Sequence, residues 1–412
     1  MDSYVSLAER VLSGTPASAS DARAILRSPN EDLPDLVAAA ARLRREHFGN
    51  LVKVNYLVNL KSGLCPEDCS YCSQRLGSDA EILKYSWLPK EEAKRQAEFG
   101  LAGGASRLCL VASGRGPSNR DVDRVSGMVE EIKSATPGVE VCACLGFLND
   151  GQAQRLKKAG VDAYNHNLNT AESHYADICS THTFADRVDT VDRARDAGLS
   201  PCSGLIVGMG ETNDQVIETI KSLKAVDSDS IPVNFLIPFD GTPLEGTNTL
   251  TPQNCLRILC AVRFLCPDRE LRIAGGRELH LRSLQPMSLH VANSLFLGDY
   301  LTSEGQAAEE DLDMIVDGGF EIVGVESAEQ LRDELKAHRA AHQAAFDTAA
   351  PVEGNCTTAV GTASATGSAS TEAGTLPCGK PLPPVGHEAG GAGVMIPTIR
   401  RRGAGTELSP NA

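Results

Sequence analysis

The chain has 412 residues, 13 cysteines and a formal net charge of −15. That balance argues against a nucleic-acid or anionic-membrane partner, since phosphate binding needs clustered Lys and Arg, and the one dense basic run is Arg400-Arg401-Arg402. No apolar run approaches the ~20 residues that cross a bilayer, and the opening MDSYVSLAERVLSG lacks the basic start and long apolar stretch of a signal peptide, so a cytoplasmic protein is expected.

Residues 1–50 read as helical, with SLAERVLSG and then DLVAAAARLRREHFG carrying apolar residues at helix period before a Gly stop. From residue 51 short β-branched runs alternate with amphipathic helical stretches. The strand-like runs are KVNYLVNL (53–60), RLCLVAS (107–113), EVCACLG (140–146) and DAYNHNL (162–168). SPCSGLIVG (200–208), SIPVNFLIPF (230–239), ELRIAGG (270–276) and NSLFLGD (293–299) follow. Between them lie helical candidates such as PKEEAKRQAEFGL, RDVDRVSGMVEEIKSA, NDGQAQRLKKAG, FADRVDTVDRARDAG and NDQVIETIKSLKAV. Eight strands alternating with helices predict a (β/α)8 TIM-type barrel over residues 51–340, behind an N-terminal helical segment at 1–50. An open doubly wound sheet is the alternative, but no G-x-G-x-x-G follows the first strand. Residues 345–412 are small, polar and rich in Gly and Pro, and a disordered tail is expected there.

In a reducing compartment so many thiols are not expected to pair as disulfides. Cys179, Cys255, Cys260 and Cys266 are read as small hydrophobes of the core, and Cys356 and Cys378 fall in the tail without a role. The stretch GLCPEDCSYCSQ is different, because it sets Cys65, Cys69 and Cys72 in the loop after the first strand, at the end of a barrel where chemistry is kept. A structural zinc site closes with a fourth ligand nearby, yet the next cysteine is Cys109 and the next histidine is His166. Three thiolates can hold three irons of a [4Fe–4S] cluster and leave the fourth iron open. C-x3-C-x2-C with an aromatic before the last cysteine, here Tyr71, resembles the radical S-adenosylmethionine superfamily. The resemblance implies that S-adenosylmethionine occupies the open iron and is cleaved by electron transfer.

A second set lies on the strands. Cys109, Cys142 and Cys202 stand on strands two, three and five, and side chains of one parity all face a barrel's interior. If they converge, they make a soft-ligand site, and RIAGGRE delivers Arg277 to the same mouth, read from the residues as a counter-charge to thiolates. Cys144, two residues past Cys142, is an extra thiol on the same face, read as packing.

CPEDCSYCSQ, YNHNLNT, PCSGLIVGMGET, PVNFLIPFDGTPL and IAGGRE, in that order, resemble the biotin synthase family over residues 45–320. The resemblance implies a radical enzyme that inserts sulfur into dethiobiotin, with Cys65, Cys69 and Cys72 on a [4Fe–4S] cluster. It places Cys109, Cys142, Cys202 and Arg277 on a [2Fe–2S] cluster that is the sulfur source. It further implies cofactor contacts at Tyr71, Asn167, Asn169, Ile206 and Gly208, and substrate contacts at Asn165, Asn167 and Asn234. A flavodoxin or ferredoxin reductant, iron–sulfur assembly proteins and a homodimer come with it. The loop SGRGPSNR departs from the Gly-Gly-Glu that many radical enzymes place there. Rival readings are another radical S-adenosylmethionine enzyme, a methylase or a carbon–carbon bond former, or a non-catalytic iron–sulfur protein. No Ser–His–Asp set or paired carboxylates stand out, as expected where the bond to be opened has no acidic proton.

Overall fold

A computed structural model describes residues 3–348. Contacts group the chain through Lys336 into one unit, and Ala337 begins a second, whose described part is the end of the helix Ala328–Thr348. The expectation for the tail falls outside the described residues beyond 348, together with Cys356 and Cys378.

The expected strands all form. They are β1 (Leu51–Lys61), β2 (Arg107–Ala112), β3 (Glu140–Cys144), β4 (Ala163–Asn165), β5 (Ser200–Cys202) with β6 (Leu205–Val207), β7 (Ser230–Phe235), β8 (Glu270–Ile273) and β9 (Ser294–Phe296). All pair in parallel in that order, and β9 returns to β1 through Lys53↔Ser294 and Asn55↔Phe296, closing an eight-stranded barrel. The run 200–208 makes one barrel position from two short strands. A Cβ at Gly204, between them, would lie 2.0 Å from the Pro232 carbonyl oxygen, so the chain needs glycine to pass. A short β10 (Glu321–Ile322) adds to the start of β1 outside the ring.

Strand parity sorts the side chains. Val54, Val58, Leu60, Leu108, Leu110, Val141 and Ala143 pack outward under the helices. Full burial of such aliphatic side chains contributes roughly 1.5–3 kcal/mol each. The other parity faces the interior, where Leu57, Cys109, Val111, Cys142, Cys144, Ala163, Cys202 and Phe296 form a separate cluster. Beneath it Arg107 pairs with Glu140 at 2.8 Å and Glu270 at 3.1 Å, and Lys53 reaches Glu140 at 2.6 Å.

The helices start where the sequence offers a reciprocal cap. Ser118 with Asp121, Thr183 with Asp186 and Thr212 with Gln215 each exchange side-chain and backbone hydrogen bonds. The N-terminal segment forms α1 (Tyr4–Leu12), α2 (Ala19–Leu26) and α3 (Leu33–Phe48). α2 and α3 pack against the helix Pro252–Leu265, with α1 on α3, and Arg257 bonds Ser28 and Asn30 in the loop between α2 and α3. Arg44 of α3 donates to the carbonyls of Leu51 and Ala292, just ahead of or at the start of two barrel strands. Arg44 thereby ties the helical segment to the N-terminal ends of two strands, opposite the end that carries the cysteine loop.

Candidate active site: two thiol sets in one barrel

β1 ends at Lys61, and Gly63 and Leu64, both at positive φ, swing the chain into the cysteine loop. The Cys65 amide donates to Gln74 at 3.0 Å and the Leu76 amide returns to the Cys65 carbonyl at 2.8 Å. Cys65, Cys69 and Cys72 all line one cavity of about 380 Å³ at the C-terminal end of the strands. Among the described residues, the one set of His, Cys and carboxylate ligand atoms within 4.8 Å of one another is Cys69, Cys179 and His182. The three motif thiols are therefore spread more widely than a single ion requires, which fits a cluster better than a lone metal. Burial pushes the Cys65 thiol up and the Cys72 thiol up to about 11, so an electropositive partner has to pull both protons off.

Around the loop stands a buried polar frame. Tyr71 accepts a 2.6 Å hydrogen bond from Asn169 on the segment after β4. Arg187, from the buried face of the helix Phe184–Asp196, donates to the Asn167 carbonyl at 2.9 Å, to His182 Nε2 at 2.9 Å and to the Tyr175 hydroxyl. Arg115, in the SGRGPSNR loop, pairs with Glu67 at 2.8 Å, and Glu67 also accepts from Thr181. Among the described residues, Glu67 is the one carboxylate lining the cavity, and it is already committed to protein partners.

The second set assembles as strand parity requires. Cys109 stands in register with Cys142, and Cys142 with Ala163. Cys202 accepts from the Asn165 amide at 3.2 Å and lies 3.8 Å from Arg272 Nη1. A hydrogen bond from Cys142 pulls the Cys202 thiol below its usual range against the opposing effect of burial, and the Arg272 and Arg107 guanidinium groups help. Arg272 is itself braced by Glu270 at 2.5 Å, Ser230 at 2.9 Å and Ser294 at 3.2 Å, and it lies over the Phe296 ring. Three convergent thiols with one guanidinium make a donor set suited to a small iron–sulfur cluster.

Arg277 does not join them. It opens the helix Arg277–Leu281, where its side chain is fully buried against Asp311 at 2.5 Å and donates to the Tyr300 hydroxyl and the Phe296 carbonyl. The reason is parity. Arg272 and Ala274 face the barrel interior, whereas Arg277 comes after the Gly275-Gly276 turn, beyond the strand. The arginine beside the thiols is Arg272.

Two family models match the chain: the Radical SAM superfamily over residues 59–223 and the Biotin and Thiamin Synthesis associated domain over 232–321. Proteins named biotin synthase from Nocardioides sp. and Streptomyces avermitilis are each 58% identical, covering this whole chain and 99% and 100% of their own. One from Kocuria rhizophila is 69% identical over 77% of this chain and 68% of its own. The chain belongs to the biotin synthase family. Among solved structures, the methylornithine synthase PylB superposes with TM-score 0.63 at 22% identity, covering 70% of this chain and 85% of that one. The FeFe-hydrogenase maturase HydG from Carboxydothermus hydrogenoformans gives 0.67 at 18%, covering 80% and 81%. At such identities they speak for the barrel alone.

Membership of the Radical SAM superfamily implies a [4Fe–4S] cluster and S-adenosylmethionine. Asn165, Asn167, Asn169, Asn234 and Ile206 all line the same cavity, together with the loop thiols and Cys109. Asn165 donates to Asn167, and Asn234 accepts from the Gly275 amide. Gly208 does not line the cavity; its amide, with that of Met209, is taken by the Glu211 carboxylate. Cys144 lines the cavity edge, and burial raises its thiol to about 12. Cys255, Cys260 and Cys266 are buried in the helical layer as expected. Cys179 is not plain packing, because its sulfur lies 3.7 Å from that of Cys69. Arg187 was legible only as an arginine on the apolar face of its helix, three residues from buried Phe184 and Thr190.

Proposed function

We propose that this biotin synthase family member inserts sulfur into dethiobiotin, with Cys65, Cys69 and Cys72 holding a [4Fe–4S] cluster. Cys109, Cys142, Cys202 and Arg272 hold a [2Fe–2S] cluster as the sulfur source. The observation that carries this reading is that the loop thiols, Cys109, Arg272 and the asparagine row line one cavity, with Cys142 in register beside Cys109 and Cys202 held against Asn165 and Arg272. When bound, the first cluster with S-adenosylmethionine supplies a 5′-deoxyadenosyl radical, and the second supplies sulfide, two S-adenosylmethionine molecules being used per biotin.

The chain's own residues do the rest. Asn165, Asn167 and Asn234 present amide groups that both donate and accept, which matches an uncharged ureido ring and fixes its orientation toward the inner thiols. Tyr71 and Asn169 hold the cysteine loop to the β4 segment, so the radical source and the substrate keep one geometry. Arg272 replaces Arg277 in the inner set because its guanidinium is the one against Cys202. Apolar walls from Leu57, Val111 and Phe296 exclude water from a carbon radical. The flavodoxin or ferredoxin reductant, the assembly proteins, the homodimer and the cytoplasmic setting rest on the family alone. Among the described residues, no helix is long and apolar enough to cross a membrane.

The test is anaerobic turnover with reductant, S-adenosylmethionine and dethiobiotin, assayed for biotin and 5′-deoxyadenosine, beside iron and sulfide counts. Biotin with two clusters per chain is expected. 5′-Deoxyadenosine without biotin, and one cluster per chain, would point to a different radical reaction.

A further inference from the structure

Cys179 caps the helix Glu172–Ile178, far from Cys69 in sequence, yet the two sulfurs stand 3.7 Å apart and both residues are only 6% exposed. Backbone contacts hold them there. The Ser70 amide donates to the Ile178 carbonyl at 2.9 Å, and the Asp68 carboxylate accepts from the Ser180 amide at 3.0 Å and the Thr181 amide at 3.2 Å. The Ser180 hydroxyl also donates to Asp68, so the two loops are clasped on either side of the sulfurs.

His182 completes a three-ligand group on distance alone, but its nitrogens are spoken for. Nδ1 faces Glu67 at 2.5 Å, and Nε2 accepts from Arg187 at 2.9 Å. With no lone pair left for an ion, the group reduces to a pair of thiols. A disulfide has an S–S length of about 2.05 Å and tolerates only a narrow range of backbone separations. Closing from 3.7 Å asks for a small side-chain movement between loops already in contact.

We propose that Cys69 and Cys179 form a reversible disulfide whenever the chain lacks its first cluster, a thiol-modification site that shields a ligand cysteine. The function of this shield rests on Cys69 being a cluster ligand, as read above; formation of the bond does not. Hydrogen peroxide is the oxidant. One thiol attacks it and becomes a sulfenic acid with release of water. The second thiol then displaces a second water to form the S–S bond. Two electrons and two protons leave the pair, and a dithiol reductant restores both thiols. Without its neighbour, the sulfenic acid on Cys69 reacts with a second hydrogen peroxide, releasing water, and becomes the sulfinic acid, which ordinary thiols do not reverse. Once iron is on Cys69, the sulfur is no longer available and the pair is silent.

The full-length chain, stripped of iron by a chelator without oxygen, is treated with a molar excess of hydrogen peroxide, alkylated, digested and mapped by mass spectrometry. The expected result is a Cys69–Cys179 linked peptide as the main cross-link of this loop, erased by dithiothreitol. In Cys179→Ala the link is gone, Cys69 accumulates as sulfinic acid, and iron uptake after dithiothreitol falls several-fold below the unmutated chain. Cross-links confined to Cys65, Cys69 and Cys72, or equal iron recovery by both chains, would overturn the proposal. The peptide map of the unmutated chain decides the matter even if the variant does not fold, and neither readout requires biotin to be made.

Discussion

The two thiol sets sit at different depths of the same barrel and are held by different parts of the fold. Cys65, Cys69 and Cys72 hang from a single loop pinned by a few backbone hydrogen bonds, and in the absence of metal burial leaves Cys65 and Cys72 as poor thiolates. Cys109, Cys142 and Cys202 are fixed by three separate strands whose register the whole ring enforces, above a layer of buried ion pairs. The upper set is specified by local spacing and can rearrange locally, even to pair with a neighbouring thiol. The inner set is specified by closure of the barrel and moves only if the barrel does. A loop suits a cofactor that must admit an exchanging reagent; strands suit a group whose position relative to the substrate decides where a bond forms.

Removing one member of each set separates them most sharply. Cys69→Ala is expected to bring both 5′-deoxyadenosine and biotin to background under anaerobic turnover. Cys142→Ala is expected to bring biotin to background while S-adenosylmethionine cleavage stays within several-fold of normal. Full biotin yield from the Cys142 variant would remove the inner set from the reaction.

The arginines come next. Arg277→Met leaves Asp311 buried without its partner, a change that costs about 3–5 kcal/mol. A lowered urea midpoint is expected, with iron and sulfide per folded chain unchanged. Arg272→Met is expected to alter the visible spectrum of the inner cluster, because its guanidinium adjoins Cys202. The reverse pattern would return Arg277 to the thiols.

The floor of the inner set carries a pH signature. Burial alone would raise the Glu270 carboxyl, but Arg272, Arg107 and Lys53 hold it well below its ordinary 4.5. A carboxylate with a lowered folded pKa contributes stability above its unfolded value, and that contribution fades as pH falls toward the folded one. The urea midpoint of the unmutated chain should therefore decline as the solution is acidified below about pH 4.5, and more steeply than that of Glu270→Gln. Parallel pH curves would show that the floor does not titrate as its neighbours dictate. The smallest effect is expected from Cys144→Ala: loss of about 1 kcal/mol for a small void, and biotin yield within two-fold. A larger fall would make the inner set one of four thiols.

What the sequence carried follows the same division. The cysteine loop was readable because three residues within one short stretch define it, and the eight strands because each is a local run of apolar, β-branched residues bounded by turns. The convergence of Cys109, Cys142 and Cys202 was readable from alternation along strands. Arg272 follows from that alternation too, since it lies two residues before the inward Ala274, whereas Arg277 lies past the end of β8 where alternation no longer places a side chain. Cys179 and Arg187 were not readable as site residues. Their contacts with Cys69 and Asn167 arise only when loops over a hundred residues apart, or a helix and the segment before it, close on one another.

Arg272 takes its position from Glu270, Ser230 and Ser294 and owes nothing to what lies on the sulfurs beside it. A socket braced from behind keeps its shape while its contents are spent. On the function proposed above, a chain that has surrendered its sulfur keeps the mould for the next charge.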